Sequence, residues 1–111
     1  MKLPLNRLIR KLTVENLWIY VLSLLKDRPK YGYEIREEIQ SRFGFKPGQV
    51  TSYMVLYMLE QDGYIESAGT MRSLTGPKRK YYRITEKGVR LLREAESFLS
   101  NTYEKLFKAK S

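Results

Sequence analysis

Two helix-favouring stretches of this chain are joined by a turn of only a few residues, which limits how they can be arranged. The first runs from about Tyr31 to Phe43 and the second from about Gln49 to Asp62. Gly44 is placed to end the first helix, Phe45-Lys46-Pro47-Gly48 form the turn, and Gly63 ends the second helix. Two helices with a short glycine-bearing turn between them are typical of a helix-turn-helix.

A mostly buried helix is predicted to precede this pair. It begins after Thr13, the predicted N-cap, and ends before Asp27-Arg28-Pro29, because a residue before proline avoids the α region. Trp18 lies in its apolar stripe, where an aromatic residue belongs to a core more often than to a ligand pocket. The residues that share a face in the three helices are Val14, Leu17, Trp18, Val21, Leu22 and Leu25, then Ile35, Ile39 and Phe43, then Val55, Leu56, Met58 and Leu59.

Two strands are predicted after the second helix of the pair. Tyr64–Ala68 and Lys80–Thr85 are rich in β-branched and aromatic residues, and Thr75-Gly76-Pro77 between them favours a turn. Basic residues crowd this hairpin: they are Arg72, Lys78, Arg79 and Lys80. A helix-turn-helix followed by a basic hairpin is typical of a winged helix.

The charge distribution indicates a polyanionic partner. The net charge is +9, and residues 64–88 hold six Lys/Arg against two acids, whereas residues 31–63 are net acidic. Because phosphates dominate the affinity of proteins for nucleic acid, a cationic hairpin beside a helix that enters the major groove has a direct use. A solvated run of charges is the alternative interpretation.

The first turn of the helix at Gln49 is polar and free of acids. A glutamine can pair with adenine, hydroxyl groups can reach bases or phosphates, and a helix N-terminus attracts anions. An ordinary capped helix start would look the same. The DNA contacts predicted from this turn, from the segment before it and from the hairpin are Lys30, Tyr31, Gln49, Thr51, Ser52, Tyr53, Arg72, Lys78, Arg79 and Lys80.

Both ends of the chain are predicted to support a homodimer. Pro4 suits the first position of a short N-terminal helix whose apolar face opposes basic residues, and docking on the domain or on a partner subunit is favoured over a membrane surface. The last helix, about Glu86 to Lys108, has an apolar seam with a period near that of a coiled coil. The predicted interface residues are Leu5, Leu8, Leu92, Ala95, Leu99, Thr102, Tyr103 and Leu106.

The chain contains no His and no Cys. This removes the usual zinc sites, thiol nucleophiles and catalytic triads, and no acidic cluster has the spacing of a metal-binding loop. We therefore expect no enzyme activity, no cofactor and no metal. The apolar stretch Leu17–Leu25 is too short to span a membrane, and the N-terminus lacks a secretory pattern, so a cytoplasmic protein is expected.

Three motifs in this order resemble the PadR family of transcriptional regulators. Lys30-Tyr31-Gly32-Tyr33-Glu34-Ile35 is similar to the start of that family's second winged-helix helix. Thr51, Tyr53, Leu56, Leu59-Glu60 and Asp62-Gly63-Tyr64-Ile65 resemble its recognition helix and the exit from it. Arg79-Lys80-Tyr81-Tyr82-Arg83-Ile84-Thr85-Glu86-Lys87-Gly88 resembles its second wing strand. The likeness covers about residues 13–95.

The resemblance implies a dimeric repressor whose N- and C-terminal helices form the subunit contact. It also implies DNA contacts from Tyr31, Thr51 and Tyr53 and from basic wing residues such as Arg79 and Lys80. Met54 departs from the family pattern, in which a proline usually follows the tyrosine, so the resemblance implies the fold but not the local shape of the recognition helix. The single C-terminal helix is typical of short members and has no Trp of the kind that lines a drug-binding pore in some relatives, so the resemblance does not support a small-molecule effector.

These observations predict a mainly α protein with a small β-hairpin. An N-terminal helix (1–12) precedes a winged helix-turn-helix domain (13–88), and a long C-terminal dimerisation helix follows (89–111). The predicted function is sequence-specific binding of double-stranded DNA, at a pseudo-palindromic operator, by a homodimeric regulator that acts as a repressor. Two alternatives stay open: a winged-helix module that binds an acidic protein partner, and a nonspecific DNA-binding chromatin protein.

Overall fold

The computed structural model describes residues 2–72 and 76–108. The helices are α1 (Leu3–Leu12), α2 (Leu17–Leu25), α3 (Gly32–Phe43), α4 (Gln49–Gln61) and α5 (Glu86–Tyr103), and the strands are β1 (Lys30–Tyr31), β2 (Ile65–Arg72) and β3 (Lys78–Ile84). A 3-10 turn covers Val14–Asn16, and a π-helical turn, Glu104–Lys108, extends α5. This order confirms the predicted mainly α winged helix.

The core forms around α2, which packs against α3, α4, α5 and the sheet. Its sequence explains this position, because apolar side chains surround almost the whole helix and a helix of that kind must be covered on several sides. The buried apolar residues are Leu17, Val21, Leu22, Leu24, Leu25, Ile35, Ile39, Leu56, Leu59 and Ile65. In contrast, α1 has no buried residue, and in α5 only Gly88 is buried.

The sheet has three antiparallel strands in the order β1-β3-β2, so the predicted two-stranded hairpin was incomplete. The third strand is β1, in which Tyr31 pairs with Tyr81. The ladder between β2 and β3 runs from Ile65–Ile84 to Arg72–Lys78, with a register shift between Ser67 and Thr70. Both strands therefore reach closer to the tip of the hairpin than expected; this β2–β3 hairpin is the wing. Of the predicted turn residues, Thr75 lies outside the described residues.

One helix-boundary prediction and part of the predicted core were wrong. Thr13 is not the N-cap of α2, because its hydroxyl donates to the Ile9 carbonyl 2.6 Å away and the 3-10 turn follows before α2 begins. Phe43 and Met58 do not belong to the core, since their side chains are 40% and 57% exposed. Phe43 instead covers Tyr20 in an edge-to-face contact with ring centroids 5.1 Å apart.

The ends of the helix pair and the start of α5 are fixed by local hydrogen bonds. Gly44 and Gly63 follow α3 and α4 with φ of 82°, the left-handed conformation that glycine adopts without strain. The hydroxyl of Thr85 accepts from the amide of Gly88 at 3.1 Å and donates to the Gly63 carbonyl at 2.6 Å. Thr85 is therefore the N-cap of α5 and ties it to the end of α4, which sets the wing strands beside the helix pair.

Candidate nucleic-acid interface

The wing carries four of the predicted contact residues. Arg72 and Lys78 are paired across the β2–β3 ladder at its tip, and both side chains are exposed. Arg79 and Lys80 follow on β3. Because successive side chains of a strand point to opposite faces, these two neighbours lie in different surroundings.

Arg79 is held on the ring of Tyr31. Its guanidinium carbon lies 4.5 Å from the centroid of that ring, and its Nη1 donates to the Tyr31 hydroxyl at 2.8 Å. The Tyr31 ring also contacts the ring of Tyr81 edge to face, with the ring centroids 5.4 Å apart. Within residues 2–72 and 76–108, only the Nη1 group of this guanidinium has a hydrogen-bond partner, which leaves Nε and Nη2 available to an anion.

Tyr53 joins the helix pair to this arginine–tyrosine pair. Its ring lies against Gly32, the residue after Tyr31, where an added Cβ would stand only 2.8 Å from the ring. Tyr53 is 46% exposed and comes from the first turns of α4. The structure thus places Arg79 on Tyr31, and Tyr53 of α4 against the residue that follows Tyr31, although the three residues lie far apart in the sequence.

Lys80 is on the other face of β3 and is bound to an acid. Its ammonium donates to both carboxylate oxygens of Glu60, at 2.9 and 3.1 Å, and lies 5.1 Å from the centroid of the Tyr82 ring. The hydrogen bond to Glu60 raises the pKa of Lys80, while burial raises the pKa of Tyr82. Lys80 is therefore positively charged, but it can bind a phosphate only by giving up its ion pair with Glu60.

Three of the four contacts predicted in the first turns of α4 have exposed side chains, Tyr53 among them. Gln49 and Thr51 are exposed, and the N-cap Gly48 has no side chain that could accept from the amides of this turn. Ser52 was predicted wrongly: it is 7% exposed, and its hydroxyl donates to the Gly48 carbonyl at 2.8 Å. Its position one helical turn before Leu56 places it on the buried face, a signal already present in the sequence.

Lys30 was also predicted wrongly as a contact residue. Its side chain is only 2% exposed, and its ammonium is 3.3 Å from both carboxylate oxygens of Glu38. The pairing of β1 with β3 turns this side chain toward α3 rather than toward solvent. A lysine between a proline and a tyrosine gave no sign of burial in the sequence.

The exposed face of α4 contains residues that were missed as site candidates. Val50, Met54 and Tyr57 are 73%, 59% and 64% exposed, and they follow one another at helical spacing. They occupy the side opposite Ser52, Leu56 and Leu59, so the periodicity that predicted the core could also have identified them. α4 continues as a regular helix through Met54, where the family pattern has proline.

Most of the predicted dimer residues lie on two stripes that no other described residue covers, whereas Leu92 packs against the core. Leu5 and Leu8 of α1 are 46% and 53% exposed, and Leu99, Tyr103 and Leu106 near the other end of the chain are 41%, 50% and 68% exposed. Leu92, Ala95 and Thr102 are half-buried. An apolar groove between α2 and α5 joins the stripes, and it is lined in part by Leu12, Trp18, Tyr20, Leu99 and Tyr103.

The described residues offer neither a metal site nor a membrane-spanning segment. Across 2–72 and 76–108 no three acidic side chains gather in a group that could hold a cation. No helix in these two ranges has both the length and the apolar character needed to cross a bilayer.

Comparisons with known proteins agree with this architecture. A model of the transcriptional regulator PadR-like family matches residues 21–94. An uncharacterized protein of Lysinibacillus sphaericus is 40% identical over 77 residues, which cover 67% of this chain and 69% of that protein. The structure of a transcriptional regulator from Clostridium thermocellum has 28% identity and a TM-score of 0.72, over 86% of this chain and 93% of that one.

Two further structures have the same fold. A PadR family transcriptional regulator from Eggerthella lenta has a TM-score of 0.73 and 29% identity, and the match covers 96% of this chain and 94% of that one. Bacillus subtilis PadR, solved in complex with operator DNA, has a TM-score of 0.64 and 22% identity, over 86% of this chain and 49% of that one. At that identity the last comparison concerns the fold alone.

Proposed function

The chain belongs to the PadR-like family of transcriptional regulators, and from that premise we propose that it binds a specific duplex DNA sequence as a homodimer and represses transcription there. Members of this family are transcription regulators and not enzymes, so the prediction that the chain is no enzyme is confirmed. The fold is shared with a relative that was solved in complex with operator DNA.

One observation carries the DNA-binding proposal: Arg79 is held on Tyr31, and the next residue, Gly32, lies against Tyr53 of α4. A guanidinium that is already oriented by a ring and a hydroxyl loses little freedom when it binds a phosphate, and its remaining donors match phosphate oxygens. The adjacent first turn of α4 then enters the major groove through Gln49 and Thr51. Phosphate contacts from the wing fix the register, and α4 contacts the bases.

The unpartnered apolar stripes on α1 and α5 support a dimer. Exposed apolar surface that continues from α1 across a groove to the end of α5 is typical of a subunit interface rather than of a monomer surface. A twofold dimer would place two copies of α4 in successive major grooves, about 34 Å apart on one face of the duplex. The operator would accordingly be pseudo-palindromic, and a dimer bound across a promoter would block transcription.

The test is a titration of fluorescent duplex DNA taken from upstream of the protein's own gene, at several salt concentrations. A scrambled duplex of equal composition controls for sequence preference. The variant pair is Arg79→Ala/Lys80→Ala in the wing and Arg90→Ala at an exposed position of α5, which removes a cation from a different element. Repression is measured with a reporter gene whose promoter contains the bound duplex.

A specific regulator binds the upstream duplex more tightly than the scrambled one and loses affinity steeply with salt. The wing variant then binds more weakly, whereas Arg90→Ala changes binding little. Equal binding to both duplexes would indicate the nonspecific chromatin protein instead. Failure to bind either duplex at low salt would overturn the DNA proposal in favour of an acidic protein partner.

A further inference from the structure

The exposed face of α4 is apolar although the helix lies beside a basic wing. Val50, Met54 and Tyr57 project from it, with Tyr53 and Met58 at its edges, and together with Gln49 they line a shallow groove. Within α4 the first charged residue is Glu60, near its end. A helix face of this kind needs an apolar partner surface, because its exposure to water has no compensating interaction.

The composition of this face excludes the commonest way of reading guanine, which uses Arg or Lys. An amide side chain such as Gln49 pairs with adenine, and apolar side chains contact the C5-methyl group of thymine in the major groove. Both kinds of side chain on α4 therefore match A·T base pairs. No residue between Gln49 and Leu59 offers the cationic donor that a G·C pair selects.

Charge favours duplex DNA over a second copy of this chain as the partner of this face. Lys46 precedes α4 and is paired with Glu37, and Lys80 on the wing is paired with Glu60. Arg79, also on the wing, has no acidic partner among the described residues and keeps the wing basic. Two copies that met through α4 would bring their basic wings together. In the major groove, by contrast, an apolar floor of thymine methyl groups lies between two rows of phosphates, which is the complementary arrangement.

We propose that Val50 and Met54 are specificity-determining residues that contact thymine methyl groups, so that each operator half-site carries A·T base pairs under α4. This inference rests on the proposed function, because it assumes that α4 enters the major groove. Val50 is one helical turn before Met54, and the two side chains together cover successive base pairs along the groove.

The test begins with selection of tight-binding sequences by the full-length protein from a library of random duplexes. In the best duplex, each thymine is then replaced singly by uracil, which keeps base pairing and removes only the C5-methyl group. Binding is measured for the wild type, for Met54→Ala and for Val50→Ser. Val50→Thr, which retains a methyl group of nearly the same shape, is the matched control for Val50→Ser.

We expect that, at one or more thymines of each half-site, replacement by uracil weakens wild-type binding by about three- to fourfold, because one buried methyl-group contact is then lost. That effect shrinks to less than about twofold in Met54→Ala or Val50→Ser, since the side chain that meets the methyl group is already absent, and persists in Val50→Thr. Arg79→Ala weakens binding to thymine and uracil duplexes equally, because a phosphate contact does not sense the methyl group.

Different failures have different meanings. If no duplex is enriched, the proposed function itself fails. If duplexes are enriched but uracil is tolerated everywhere, or if its effect is the same in all α4 variants, then DNA binding stands and the thymine contact is wrong. If Met54→Ala changes the oligomeric state measured by sedimentation and leaves the uracil effect intact, a second copy covers this face and the inference is overturned.

Discussion

The ammonium group of Lys30 is buried against Glu38, 3.3 Å from both carboxylate oxygens, in a side chain that is only 2% exposed. The two partners are not equivalent. Glu38 also lies near two other cations, with Arg28 at 3.7 Å and Arg42 at 3.6 Å, whereas Glu38 is the only acid within ion-pair distance of Lys30 among the described residues, and Glu34 acts on it from further away.

Because of this asymmetry, we expect substitution of Glu38 and substitution of Lys30 to lower the free energy of unfolding by different amounts. Glu38→Ala leaves a buried ammonium without its carboxylate, and we expect it to lower the free energy of unfolding by about 3 kcal/mol. Lys30→Met keeps the apolar stem and leaves Glu38 with two arginines, so we expect a change of less than about 1 kcal/mol. Urea unfolding measures both. A larger decrease for Lys30→Met than for Glu38→Ala would contradict this prediction, as would weakened DNA binding by Lys30→Met.

Gly88 is the second position where a small change should be costly. A Cβ atom there would stand 2.2 Å from the carbonyl oxygen of Tyr64 and 2.7 Å from Cγ1 of Ile84. The first of these atoms is backbone and cannot rotate away, so α5 would have to shift from the sheet. We expect Gly88→Ala to lower the free energy of unfolding by about 1–3 kcal/mol despite the better helix propensity of alanine. Arg93→Ala, at an exposed position of α5, is the control and should change stability little. Thermal unfolding of both variants measures the difference.

The sequence was sufficient for the type and order of the main elements, because these depend on local periodicity. Apolar spacing predicted α2 to α5, and glycines marked the ends of α3 and α4. The strand β1 could not be found in this way, since Lys30 and Tyr31 form a strand only by pairing with β3 about fifty residues later. The same pairing buries Lys30, a residue type that is usually exposed, and for that reason the sequence alone predicts a DNA contact there.

The candidate site was predictable in part. The basic character of the wing follows from composition alone, but the division of labour between Arg79 and Lys80 depends on which partner faces each side of β3. Tyr31 provides a ring and a hydroxyl on one face, and Glu60 provides a carboxylate on the other. Both partners are remote in sequence, so a pattern of residues cannot reveal them.

The Arg79–Tyr31 contact predicts that the charge of Arg79 and the orientation of its guanidinium contribute separately to DNA affinity. Tyr31→Phe removes the hydroxyl but keeps the ring and every cation, so affinity should fall by about 0.5–1.5 kcal/mol with an unchanged salt slope. Arg79→Ala should also flatten the plot of log affinity against log salt, by about 0.9 for each phosphate that the variant no longer neutralises. Titrations at several salt concentrations measure both. Equal slopes for wild type and Arg79→Ala would show that Arg79 does not neutralise a phosphate.

Glu34 should make stability depend on pH in acid. Burial by itself raises the pKa of Glu34, but the hydrogen bond and charge of Arg28, with the Tyr31 amide and Lys30, lower it by more, so the net pKa is below 4.5. The folded state therefore binds this proton less readily than the unfolded chain, and stability is lost as the pH falls from about 4.5 through the folded-state pKa.

The corresponding experiment is urea unfolding at pH values between about 6 and 3 for wild type and Glu34→Gln. The wild type should lose stability more steeply in acid than Glu34→Gln, which cannot take up the proton. Glu96→Gln, at an exposed position of α5, should follow the wild-type curve. Parallel curves for wild type and Glu34→Gln would show that this carboxylate does not contribute to acid unfolding.

The exposed seam of α5 should determine the oligomeric state. Leu99 is 41% exposed in the middle of the seam and also lines the groove beside α2, so a carboxylate there would be buried without a partner in a dimer. We expect the wild type to sediment as a dimer and Leu99→Glu as a monomer with much weaker operator binding, because each subunit alone contacts one half-site. Ser97→Glu adds the same charge on the opposite side of α5 and should remain dimeric. A monomeric wild type, or a dimeric Leu99→Glu, would show that the subunits do not meet through this seam.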